Sequence, residues 1–139
     1  MAEKFLKQYE ILLRKAVVDL NSSKVILLSF EEGKIELDLE VIFFHLQQSV
    51  EKLIKAILDF NKIKFPHTHD LKNLIDILDD NNLNFIKEDT DSILLLSQYA
   101  VEGRYAVVHD DLEDTDKYIK VLDKLLEFVR NKVKTTNQH

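Results

Sequence analysis

Residues 39–60 read LEVIFFHLQQSVEKLIKAILDF, and the spacing of their apolar side chains decides the fold class. Leu39, Ile42, Phe43, Leu46, Val50, Leu53, Ile54, Ile57 and Leu58 recur at intervals that an α-helix gathers on one face. Gln47, Gln48, Glu51, Lys52 and Lys55 fall on the other face, where solvent is expected. Asp38 stands just ahead with a side chain suited to an N-cap. A helix with so broad an apolar face folds only by burying it against other elements.

The rest of the chain supplies those elements, and they too read as helices. Two glycines and one proline in 139 residues leave few places for tight turns. Upstream, Phe5, Tyr9, Leu12, Leu13, Ala16, Leu20 and Leu27 predict a first helix over about residues 3 to 31, closed by Gly33. Downstream, Pro66 breaks the chain and THDLKNLIDIL restarts it, with Thr68 placed to cap a short helix ending near Asp80. DDNNLN is a loop. A fourth helix is expected from Asp89 or Thr90, with Ile93, Leu96, Ala100, Gly103 and Val107 on one line whose small residues favour close packing. The last helix, about Asp114 to Val133, shows Tyr118, Leu122, Leu125, Val129 and Val133 as its buried edge, and residues 135–139 form a disordered tail. No period-two alternation, repeat or low-complexity block interrupts the pattern. The expectation is an all-α, up-and-down bundle of four long helices and one short one, forming a single domain over residues 1–134.

Composition narrows the function classes. With 45% hydrophobic and 32% charged residues the chain has a core and a solvated surface, so it is globular. Absence of cysteine excludes disulfides, thiolate metal sites and a cysteine nucleophile. The opening MAEKFLKQYE lacks the basic start and apolar centre of a signal peptide, and no apolar run approaches the roughly 18 residues of a membrane span. A cytoplasmic protein is expected. A net charge of −6 disfavours a broad grip on nucleic acid, which depends on basic side chains displacing counterions. Any work on nucleic acid must then be local.

Few residues are candidates for chemistry. His67 and His69 form a His-x-His pair with neither a third histidine nor a carboxylate cluster at ligand spacing, so His69 and Asp70 are expected to cap and pack the third helix. His45 sits on the most apolar helix and reads as a partly buried structural histidine. The carboxylates of EDTD and DDLEDTD mostly precede helices, where they complement the positive end of the macrodipole. The stretch VEGRYAVVHDD, residues 101–111, is different: it places Arg104 and His109 together where an apolar run stops. On a continuous helix residues five apart diverge by about 140°, so a joint role requires a break in the helix or a meeting across a subunit interface. An arginine that is always charged beside a histidine that titrates near neutrality suits phosphate chemistry, one holding the anion and the other moving the proton. Asp110 and Asp111 favour the charged imidazolium. The same pair at a helix end would equally serve as an ordinary salt-bridge network.

The segments FFHLQQSVEKLIKAIL, FPHTHDLKNLIDIL and YAVEGRY, in this order and spacing, resemble the HEPN family (higher eukaryotes and prokaryotes nucleotide-binding), nucleotidyltransferase-associated type. The resemblance runs from about Leu39 to Val133, with a compatible first helix. It implies a helical bundle that dimerises and a metal-independent ribonuclease acting through an Arg-x4-6-His motif, matched here by Arg104 and His109 with YAVV between them. In such dimers the two motifs meet at the interface. His109 would then act as general acid or base for attack by the ribose 2'-hydroxyl, Arg104 would stabilise the phosphorane, and a 2',3'-cyclic phosphate would result. Glu102 would orient the arginine, Tyr105 would stack on a base and Asp110 would support the site, with no metal and no cofactor. Asp111 stands two positions after the histidine, where nucleotidyltransferase-paired members carry a tyrosine that is adenylylated, so that control is not expected here. The partners implied are a second copy of the chain, a minimal nucleotidyltransferase protein and RNA or a nucleotide, with no membrane. Two alternatives stay open: a noncatalytic nucleotide-binding or partner-binding subunit of such a nucleotidyltransferase, and a dimerising helical protein whose Arg104 and His109 only tie helix ends.

Overall fold

The helix with the apolar stripe, Leu39–Phe60, is the axis of the molecule and is α2 in chain order. A computed structural model describes residues 6–33, 39–99 and 112–136. Around α2 lie α1 (Gln8–Glu31), α3 (Leu71–Asp80), α4 (Thr90–Leu95) and α5 (Leu112–Thr136). Ile42, Phe43, Leu46, Val50, Leu53, Ile54, Ile57 and Leu58 are all buried, each contributing about 1.5–3 kcal/mol relative to exposure. There is no strand among the described residues. The all-α expectation holds.

Side-chain pairs set the directions of the long helices. Ser49 Oγ donates to the Ala16 carbonyl at 2.8 Å and Ser23 Oγ to that of Ile42 at 3.3 Å, so α1 and α2 run antiparallel. Ala16, Ser23 and Ser49 are all buried, and their small size lets the two backbones approach closely. Lys24 pairs with Asp123 at 2.7 Å. Phe43 meets Tyr118 edge to face at 5.6 Å, near the α5 N-terminus. Both contacts lie at one end of the bundle; at the other, Ile57 of α2 lines a pocket with Phe128 and Lys132, and Leu13 and Arg14 of α1 line one with Arg130 and Val133, so α5 runs parallel to α2 and antiparallel to α1. The buried edge expected for α5, Tyr118, Leu122, Leu125, Val129 and Val133, is the one observed.

The helix ends explain themselves locally. Gly33, at φ 74°, follows α1 in the left-handed region that glycine enters without a Cβ clash. Lys62 (φ 61°) and Asn82 (φ 56°) do the same work after α2 and α3. In both, the next amide reaches back to a helix carbonyl, Ile63 to Leu58 and Leu83 to Leu78, each at 2.9 Å, completing Schellman turns.

Several expectations need correction. The N-cap of α3 is Asp70, whose carboxylate accepts from the Lys72 amide at 3.0 Å; Thr68 acts one step earlier, accepting from the Asp70 amide. The fourth element is a six-residue α-helix that tightens into a 3₁₀ turn, Leu96–Tyr99, and not a long helix up to that point. The tighter coil seats Leu96 in the core while Ser97 Oγ accepts from the Leu71 amide at 3.3 Å, the first of α3. Ala100, Gly103 and Val107 lie outside the described residues, as does Asp38. Helix α5 continues to Thr136, through the start of the expected tail. Finally, the polar face of α2 is only partly solvated: Gln47 and Glu51 are buried, at 0% and 3% exposure.

Candidate functional site

Arg104 and His109, with Glu102, Tyr105 and Asp110, fall in the segment 100–111, outside the described residues. What is described is the frame on either side of it. The chain enters from the 3₁₀ turn, which packs on α2 and is tied to α3 through Ser97. It leaves into α5, where Tyr118 donates its hydroxyl to the Ser92 carbonyl at 2.8 Å and packs its ring on Phe43. Both anchors therefore bear on α2, the second of them through Phe43 near its N-terminus. Thr115, one turn into α5, is fully buried, and its hydroxyl finds no partner among the described residues.

Next to this frame α2 carries two polar clusters. In one, Glu51 accepts from Gln47 Nε2 at 3.3 Å, from His69 Nδ1 at 2.9 Å and from Lys55 Nζ at 3.0 Å. Gln47 also donates to the His69 carbonyl at 3.3 Å, so the cluster fixes the approach of the chain to α3. Lys55 lies 6.0 Å from the Phe65 ring centroid, a cation–π contact that helps hold the ammonium against its low-dielectric surroundings. In the other, Asp19 of α1 accepts from His45 Nδ1 at 3.0 Å and from Lys52 Nζ. A carboxylate can only accept, so both histidines present Nδ1–H. The partial burial expected for His45 is observed, at 27% side-chain exposure.

These clusters bring together residues that the sequence reading assigned to solvent, Glu51, Gln47, Lys52 and Lys55, with two that it set aside, His45 and His69. The missed signal was spacing: Gln47, Glu51 and Lys55 at i, i+4 and i+8 form a polar line along α2 beside the apolar face. Chemically they orient and neutralise, since each carboxylate is engaged by cations and hydrogen bonds and no nucleophile shares its contacts. Among the described residues no three histidine, aspartate or glutamate side chains converge as a metal site. His69 meets Glu51 instead, beside the Asp70 cap, consistent with a role in packing α3.

Comparison with known proteins places the fold. A family model, the HEPN domain, matches residues 9–132. The crystal structure of ST0689, an archaeal HEPN homologue, superimposes with a TM-score of 0.61 at 20% sequence identity, covering 92% of this chain and 99% of that one. No curated protein matches in sequence.

Proposed function

The chain belongs to the HEPN domain family, and from that premise we propose that it is the toxin-like member of a HEPN/nucleotidyltransferase pair, a metal-independent endoribonuclease. The observation that carries this reading is the Arg-x4-His spacing of Arg104 and His109 within the matched stretch. The reaction is transesterification: His109 accepts the 2'-hydroxyl proton, O2' attacks the adjacent phosphorus, and the P–O5' bond breaks with a proton delivered to O5'. Arg104 holds the charge that builds on the nonbridging oxygens. In a homodimer two such pairs share one interface, with Glu102 positioning the arginine, Tyr105 stacking on a base and Asp110 supporting the imidazolium. The net charge of −6 favours a second reading, a noncatalytic subunit that binds a nucleotide or a nucleotidyltransferase partner.

Arg104→Ala and His109→Ala separate the two. If the first reading holds, each removes cleavage of end-labelled RNA while circular dichroism and melting temperature stay at the parent's values. A parent that cuts no RNA but binds a nucleotide or a nucleotidyltransferase would favour the second.

A further inference from the structure

The end of the bundle where α2, α3 and α5 finish holds an aromatic pair turned partly to solvent. Phe85, in the loop after α3, and Phe128 of α5 stack with ring planes 2° from parallel and centroids 5.2 Å apart. At van der Waals contact this is an offset stack, the rings slid past each other by about 4 Å, so part of each face stays uncovered. Phe128 is 44% exposed in spite of the contact. Both rings line a pocket of about 210 Å³, with Ile57 and Leu83 as its other apolar side chains.

The polar groups around this pocket suit a nucleobase and its phosphate. Two asparagines line it, and they differ. Asn84 is occupied within the loop: its Nδ2 donates to Asp79 Oδ1 at 2.8 Å and its Oδ1 accepts from the Ile86 amide at 2.8 Å. The Asn82 side chain is exposed and forms no hydrogen bond among the described residues, so it keeps the donor and the acceptor that pair with a base edge. Lys132, one turn beyond Phe128 on the same face of α5, is the pocket's cation, and among the described residues no carboxylate lines it. A flat ring face, an amide and one cation match a base and one phosphate, whereas an aliphatic side chain would leave the amide unused. The net charge of −6 weighs against a grip spread along a phosphate backbone, so stacking has to supply what charge does not.

We propose that this pocket is a base-stacking subsite for single-stranded RNA, with a nucleobase on the uncovered face of Phe128, its edge at Asn82 and its phosphate at Lys132. The proposal rests on RNA as the substrate and involves none of residues 100–111. The chain has no tryptophan, so Phe128→Trp supplies a single indole at the stacking position. The probe is a 2'-O-methyl oligoadenylate of about ten nucleotides, a length within the usual footprint of such sites, and it offers no 2'-hydroxyl for attack. Its binding quenches the introduced indole, and an abasic strand of equal length does not. Measured by anisotropy of the labelled strand, Phe128→Leu, which keeps an apolar side chain and loses the ring, weakens binding about tenfold. Lys132→Gln lowers the slope of log affinity against log salt by about 0.7, the value for one phosphate of a single strand. An indole that is not quenched, or is quenched equally by the abasic strand, overturns the proposal, as does a Phe128→Leu variant that binds like the parent. The two readings fail separately. A parent that binds the probe through Phe128 and leaves RNA intact keeps the subsite and removes the nuclease; a parent that cuts RNA through Arg104 and His109, with Phe128→Leu binding at parental affinity, does the reverse.

Discussion

Replacing Glu51 by glutamine tests whether the α2 polar cluster is a structural element or ornament on a helix surface. The exchange keeps the side-chain volume, deletes the charge, and puts an NH2 group where a donor already points. Three donors now converge on this carboxylate, and its side chain is 4% exposed. Removing one member of a buried pair costs about 3–5 kcal/mol where the remaining charge is trapped. Here it is only partly trapped. Lys55 is 13% exposed and can lean toward water, and His69, at 61%, can turn outward. One glutamine oxygen still accepts one bond, so the expected loss is about 2–3 kcal/mol. Urea unfolding should show the midpoint falling by that energy divided by an unchanged m value. Lys72→Met, which breaks the exposed Lys72–Asp76 pair at 3.1 Å, is the control and should cost under about 0.5 kcal/mol. If Glu51→Gln costs no more than the control, the reasoning about burial is wrong.

Other outcomes follow from single positions. Phe43→Ala, which empties a buried site near the N-terminal end of the α2 face and removes the ring contact with Tyr118, should cost about 3–5 kcal/mol in the same unfolding assay. Lys62→Gly should stabilise by about 0.5–1 kcal/mol, raising the thermal midpoint, since glycine enters the left-handed region without the Cβ clash that lysine meets at φ 61°. The hydrogen bond to Asp89, reinforced by the charges of Asp89 and Glu88, raises the Lys124 pKa above its ordinary value. That pair therefore stabilises fully below the ordinary lysine range near 10.4, and its contribution is lost as pH rises through the raised value. Because Lys124 is more than half exposed, the difference between parent and Lys124→Met at neutral pH should stay below about 1 kcal/mol and vanish in strong alkali, read by melting temperature against pH.

Much of the fold was legible in the sequence because periodicity reports burial directly. The α2 stripe from Ile42 to Leu58 and the α5 edge at Tyr118, Leu122, Leu125, Val129 and Val133 were written residue by residue, and burial followed them. What was not legible depended on partners distant in sequence. Glu51 and Gln47 look like solvent-facing residues until His69, 18 and 22 positions away, comes back over them. Where α4 tightens after Leu95, Ser97 accepts from the Leu71 amide, a contact across 26 positions that periodicity does not report. For the site itself, the frame around residues 100–111 is described, and the chemistry assigned to Arg104 and His109 rests on their spacing and on the family.

If Arg104 and His109 drive attack of the 2'-hydroxyl on RNA, the ends of the fragments record it. The most direct measurement is the end chemistry of RNA incubated with the purified full chain in excess EDTA. Fragments ending in 2',3'-cyclic phosphate are expected, produced by the parent and by neither Arg104→Ala nor His109→Ala. Fragments ending in 3'-hydroxyl, cleavage that survives both substitutions, or intact RNA with well-folded parent protein would contradict it.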